Sequence, residues 1–282
     1  MNFHDHPNTF VGQVNLKVEN LERALSFYQH IIGFKILEQT EGNAKLTADG
    51  KTILLTIEQP NDVTPRQRNT TGLYHFAILL PKRSDLANIV QHLYRNGIQF
   101  GSSDHLVSEA IYLSDPDGNG IEIYIDRPSS SWNWINDEVE MTVDPLDFEN
   151  LLTEINQESW NGLPNETVMG HIHLHVSELQ KTEEFYSKGL GFQVVCRYGS
   201  QALFISTGRY HHHIGLNTWA GVGAPRPSIH SIGLKSFSLV LANDEARNNI
   251  IKQLQALDYN VIEENGIFVT EDPSGNRIQL TV

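Results

Sequence analysis

Five residues of an early helical stretch in this 282-residue chain return 158 positions later. Leu21, Phe27, Tyr28, Gly33 and Phe34 reappear as Leu179, Phe185, Tyr186, Gly191 and Phe192. A second set returns after 157: Asp115, Pro116, Gly118 and Asn119 reappear as Asp272, Pro273, Gly275 and Asn276. Two nearly equal shifts mean that an entire half is duplicated, and the fold must be one that repeated units can build.

Each half divides again. Val11 to Val18 alternates as a strand does, and Leu21, Ala24, Leu25 and Tyr28 then have helical spacing behind Asn20, a suitable N-cap. Gly33 stands where a left-handed residue ends a helix. Strands follow from Phe34, over 44–47 and over 52–57. After a loop over 60–71 the order restarts: strand 73–80, helix 85–96 stopped by Gly97, then strands 99–100, 110–113 and 121–125. The third unit opens with strand 171–176 and helix 178–188. The chain therefore reads as α+β, four βαβββ units in two tandem duplicated domains, 8–127 and 169–282. The connection 128–168 is polar and helical only around 146–155. Its Trp132, Trp134 and Trp160 need burial, so it packs on the surface rather than hanging free.

Charge and cysteine content narrow the function classes. Thirty-four acidic against twenty basic residues give a net charge of −14, which argues against nucleic acid or an anionic membrane as partner. No apolar run approaches the roughly 20 residues that span a bilayer, and MNFHDHPNTF lacks the features of a signal peptide. One cysteine, Cys196, excludes an internal disulfide and fits a reducing, cytoplasmic setting. Monomer and homo-oligomer are both open.

The chemistry concentrates in Asp104–Tyr124. The turn Asp115-Pro116-Asp117-Gly118-Asn119-Gly120 separates two strands. By alternation Glu122 shares a face with Tyr124, while Ile121 and Ile123 point the other way. A carboxylate there is costly to bury unless paired or metal-bound; otherwise it is a solvent-facing glutamate. The histidines gather in two short clusters, His171, His173 and His175 on one strand and His211, His212 and His213 further on. The latter also reads as a solvated loop. Gly221 to Pro227 contains a Gly-x-Gly but lacks the strand-to-helix setting of a phosphate cradle.

Four such units, with a Phe-Tyr helix ending at Gly-Phe and an Asp-Pro-x-Gly-Asn turn before the last strand, resemble the vicinal oxygen chelate superfamily. Within it the chain is similar to the two-domain extradiol ring-cleaving dioxygenases of the catechol 2,3-dioxygenase type. The resemblance covers nearly everything except the connection. It implies metal ligands at the first strands of two units and a carboxylate in a last strand. The first-strand positions hold Gln13, His75, His171 and Ser236; the last-strand positions of the second and fourth units hold Glu122 and Gln279. A site within the C-terminal half would offer His171, Ser236 and Gln279, a poor set because two are neutral, weak ligands. Joining the second unit to the third gives His75, Glu122 and His171, a facial triad suited to iron(II), with manganese, zinc or nickel as other candidates. Gln13 and Gln279 would then mark a vestigial site.

The resemblance also implies a histidine outside the ligand set, His212, with His213 as the residue a one-position slip would substitute. It implies a tyrosine ten residues before the carboxylate, Tyr112, and a histidine before that, His105. The expected partners are a small aromatic diol and O2. Two rivals share the fold. One is a glyoxalase-like isomerase or lyase on zinc, nickel or manganese, with His213 as fourth ligand. The other is a metal-free small-molecule-binding protein of the bleomycin-resistance type, against which a complete triad counts.

Overall fold

The computed structural model describes residues 2–282. The first unit comprises β1 (Phe10–Lys17), α1 (Leu21–Phe27), β2 (Lys35–Gln39), β3 (Asn43–Thr47) and β4 (Leu55–Glu58). The second comprises β5 (Gly72–Leu79), α2 (Arg83–Arg95), β6 (Gly101–Asp104), β7 (Ser108–Ser114) and β8 (Gly120–Asp126). The connection holds β9 (Trp134–Ile135), β10 (Glu138–Val139) and the short α3 (Phe148–Leu152). The third unit follows with β11 (Val168–His175), α4 (Leu179–Glu184), β12 (Gln193–Tyr198), β13 (Ala202–Ser206) and β14 (Ile214–Asn217). The fourth has β15 (Gly233–Val240), α5 (Asp244–Ala256), β16 (Val261–Glu264), β17 (Ile267–Glu271) and β18 (Arg277–Thr281).

Local expectations fare well. The Asn20 side chain accepts from the Arg23 N–H at the start of α1. The helix runs on through one wider turn, Tyr28–Ile32, and stops at Gly33 with φ +100. A side chain at Gly33 would also collide with Gly162 and with the Trp160 indole, whose Nε1 donates to Ile32 O at 3.2 Å. The connection is thus clamped onto a helix end by one of its tryptophans. Trp132 is buried as well. The strand expected at 99–100 forms instead at Gly101–Asp104, because Ile98 and Phe100 pack on the core. The helix expected around 146–155 shortens to five residues behind its Asp147 cap.

The sheets do not group consecutive units. One runs β16-β17-β18-β15-β1-β4-β3-β2 and the other β12-β13-β14-β11-β5-β8-β7-β6. Each eight-stranded sheet therefore takes one unit from each half, first with fourth and second with third. The halves 8–127 and 169–282 divide the sequence; the sheets cross that division. Antiparallel pairing of first strands makes both joints, β1 to β15 and β5 to β11.

What ties consecutive units together is the pair of duplicated motifs. The buried Tyr28 hydroxyl of the first unit donates to Asp115 Oδ2 in the turn of the second, at 2.8 Å. Tyr186 donates to Asp272 at 3.2 Å in the other half. Each aspartate also accepts from two backbone N–H groups and one asparagine amide of its own turn. The two motifs return with nearly the same shift because they touch. Among the described residues, no helix is long and apolar enough to cross a membrane.

Candidate metal centre

The site lies on the inner face of the sheet formed by the second and third units. In register, Glu122 of β8 sits beside Ala77 of β5, and Ala77 beside His171 of β11. His75, two residues before Ala77, shares that face. Ala77, fully buried between the two flanking ligands, is small enough to let their side chains converge above it. Gly120 lies beside His75 in the parallel pairing, and a methyl group there would strike Tyr74 O.

Glu122 is buried, 3% exposed, with Ile121 and Ile123 in the core on the opposite face. Its Oε2 lies 3.0 Å from His75 Nε2 and 3.1 Å from His171 Nε2. All three ligand atoms fall within 4.8 Å of one another. Burial opposes ionisation of Glu122, yet the two imidazoles outweigh it and hold its pKa well below the usual carboxylate range. Burial likewise lowers His171 to about 4, against the opposing pull of Glu122, so its lone pair is free at neutral pH. His75 Nε2 is buried and has no well-directed hydrogen bond despite its closeness to the carboxylate. Two imidazole nitrogens and one carboxylate oxygen aimed at a common point, one of them unsatisfied, fit a divalent ion.

A cavity of about 360 Å³ opens onto His75 and Glu122. His105, Tyr112, His173 and His212 also line it. His105 Nδ1 lies 2.6 Å from Thr142 O and its Nε2 lies 2.6 Å from the Tyr112 hydroxyl. A carbonyl only accepts, so in the neutral ring Nδ1–H points to Thr142 and the tyrosine donates to Nε2. Burial first, and Glu122 second, push the Tyr112 pKa well above its usual value, so the phenol keeps its proton.

His211, His212 and His213 do not form a solvated loop; all three are buried. The His212 ring lies 4.1 Å from that of His171, tilted by 49°. Its Nδ1 is 2.8 Å from His211 Nδ1, and His211 Nε2 is 2.7 Å from Asp126 Oδ1. Burial and neighbouring imidazoles hold His212 well below its ordinary pKa. With a neutral His211 donating from Nε2 to the Asp126 carboxylate, its Nδ1 accepts, and His212 fills the gap between the two Nδ1 atoms with its own proton. That leaves His212 Nε2 as an unprotonated acceptor. Asp126 and His211 were not singled out in the sequence, although alternation from Glu122 through Tyr124 already puts Asp126 on the right face.

His213 is no fourth ligand. Its Nε2 lies 3.1 Å from Phe3 O, and Nδ1 accepts from the Thr207 N–H at 3.3 Å. With both ring nitrogens engaged there, His213 is turned to Phe3 and Thr207 while His212 lines the cavity. His175 lies outside the cluster, bonded to Asn217. In the other sheet, Gln13 bonds Asn15 and Thr56, and Asn15 bonds Ser236 and approaches Gln279 at 3.5 Å. That neutral network has none of the charge of the triad.

A family model described as the Glyoxalase/Bleomycin resistance protein/Dioxygenase superfamily matches residues 10–123 and 168–280. A catechol-2,3-dioxygenase of Bacillus subtilis (strain 168) is 46% identical over 271 residues, 95% of each chain. The crystal structure of a candidate dioxygenase from Bacillus subtilis subsp. subtilis str. 168 superposes with a TM-score of 0.70 at 12% identity, covering 96% of this chain and 84% of that one. Glyoxalase I from Zea mays superposes with a TM-score of 0.59 at 14% identity, covering 96% and 92%. At such identities the two structures speak for the fold alone.

Proposed function

Because this chain belongs to the Glyoxalase/Bleomycin resistance protein/Dioxygenase superfamily, we propose that it is a metal-dependent extradiol dioxygenase, cleaving the ring of a catechol-type diol with O2. The observation that carries this reading is the meeting of His75, Glu122 and His171, from both halves of the chain, around one point, with His75 and Glu122 also facing a cavity. The 46% identity to a catechol-2,3-dioxygenase supports it. A glyoxalase-like reaction is less well served, because His213, the candidate for its fourth ligand, is engaged elsewhere.

The triad would hold iron(II), with manganese, zinc or nickel as alternatives. When bound, such an ion supplies Lewis acidity and orients the diol and O2. Around it the protein handles protons. His212 Nε2, held as an acceptor by His211 and Asp126, takes a proton from a substrate hydroxyl and returns it as the ring opens. The Tyr112 O–H leaves His105 Nε2 and turns toward a substrate oxygen as its charge grows.

Anaerobic loading with iron(II), followed by oxygen and catechol, is expected to give a yellow ring-fission product; none with any of the four metals would sink the reading. Tyr112→Phe should retain full metal while kcat falls about 100-fold, the usual scale for one proton-handling group. Metal loss in that variant would place Tyr112 in the ligand set instead. Asp126→Asn frees the His211 tautomer, so kcat should fall about 10-fold with metal content unchanged and the acidic limb of the pH–rate profile displaced. An unaltered profile would remove Asp126 from the relay.

A further inference from the structure

The cavity above the triad is chemically two-ended. Its inner end carries the groups that face a diol: His75, Glu122, His105, Tyr112 and His212. The rest of its wall includes Val107, Met141, Val143, Phe204, Tyr198 and Trp219, with Ser102, Ser103, Ser108 and Thr142 as its small neutral polar members. Among the described residues, neither lysine nor arginine lines it. Lys17, Arg66 and Arg68 line a separate cavity of about 540 Å³ that shares Trp219 with this one, and Arg127, next to Val107, is paired with Asp104 and Glu109. Arg66 is committed to Gly118 O and Leu73 O, and Lys17 to Ile229 O.

The mouth is apolar and wet. Tyr74, Tyr198, Trp219 and Val143 are 40%, 48%, 43% and 64% exposed, four of the larger apolar side chains that this protein leaves in water. Gathered around one opening, they form the kind of rim that a ligand covers. The rim is also within reach of the reacting end. The Tyr74 ring lies 5.1 Å from that of His75 and 5.1 Å from that of Trp219. A group attached to a diol ring seated at His75 would run along Tyr74 toward Trp219.

We infer that the substrate is a catechol bearing an uncharged apolar substituent, an alkyl chain or an aryl ring, and that catechols bearing a carboxylate are rejected. This rests on the ring-cleavage reading above and narrows its substrate class. An apolar tail gains by covering the rim. A carboxylate in the same place loses water and meets no cation or N–H fork to replace it. Part of the selecting wall, Met141 to Val143, belongs to the connection rather than to the duplicated units. The same segment supplies Thr142 O to His105. Substrate choice and the setting of the proton-handling end therefore share one strap of chain.

The test is calorimetric binding to the iron(II)-loaded protein without oxygen, followed by admission of oxygen to the same samples. The probes are catechol, 4-propylcatechol and 3-(3,4-dihydroxyphenyl)propanoate, the last two alike in reach. The propyl compound is expected to bind about 10-fold or more tighter than catechol, on the scale of a few buried methylenes. The propanoate should bind about 100-fold weaker than the propyl compound, the factor by which an unpaired buried polar group discriminates. Val143→Lys, a change at an exposed rim position, should narrow that gap about 10-fold by providing the missing partner. Equal or tighter binding of the propanoate by the unaltered protein overturns the inference, and binding of none of the probes overturns it together with the ring-cleavage reading. If the expected binding order holds but oxygen opens no ring, the ring-cleavage reading fails and the apolar preference of the cavity stands. If rings open while the order is reversed, the opposite conclusion follows.

Discussion

Glu122→Ala is expected to leave the purified protein without its divalent ion and to lower ring cleavage by about 1,000-fold or more, since a Lewis acid contributes several kcal/mol of charge stabilisation. The carboxylate supplies the negative charge of the ligand set and lies within 3.1 Å of both imidazoles. Without it two neutral nitrogens remain, and metal affinity should fall well beyond the roughly 10–100-fold that loss of an outer partner costs. His75→Ala and His171→Ala should do the same. Metal analysis after dialysis decides the matter independently of turnover. Full occupancy in all three single variants would dispose of the triad. Glu122→Gln keeps the shape and removes the charge; retained folding with lost metal there would show that charge, rather than packing, is what the site requires.

Asp115→Ala carries the second large effect, on stability. The side chain accepts from the Tyr28 hydroxyl, the N–H groups of Asp117 and Asn119, and the Asn119 amide. Removing it strands these donors at a joint where two units meet. The cost should be about 3–5 kcal/mol, and the melting temperature should drop by roughly 5–8 °C on the scale for chains of this size. Tyr28→Phe is the milder comparison, because Asp115 keeps its other donors; about 1 kcal/mol is expected. Asp272→Ala should mirror Asp115→Ala through Tyr186. An unchanged melting temperature in Asp115→Ala would mean that the units are held together by their apolar contacts alone. Because neither Asp115 nor Tyr28 lines the cavity, Asp115→Ala should leave metal occupancy intact below its melting temperature, which separates it from the triad variants.

Much of this was legible before any coordinates. The recurrence of Tyr28 with Asp115 as Tyr186 with Asp272 announces the duplication, and Asn20 and Gly33 bound the first helix through local hydrogen bonding and a local φ. Strand alternation places Glu122 opposite Ile121 and Ile123. The same rule, carried two and four residues further, reaches Tyr124 and Asp126. The relay from Asp126 through His211 leaves no mark in the sequence, because its members lie 85 positions apart and only the fold brings them together. His213 illustrates the opposite limit. Three adjacent histidines leave the inward one undetermined until the extended segment is set against its neighbours.

By itself the sequence determined the four repeated units, the turns and caps that delimit them, and the residue types able to bind a metal. These depend on spacings of a few residues, where backbone geometry leaves few choices. Only the tertiary structure decided that the connection leans its Thr142 carbonyl on His105, that His211 and Asp126 stand behind His212, and how the four first strands pair, where the ligand types had pointed to the second unit with the third. The first strand of every unit offers a similar row of backbone donors and acceptors. Which two rows join is settled by the packing of the whole chain, a choice that no local pattern encodes.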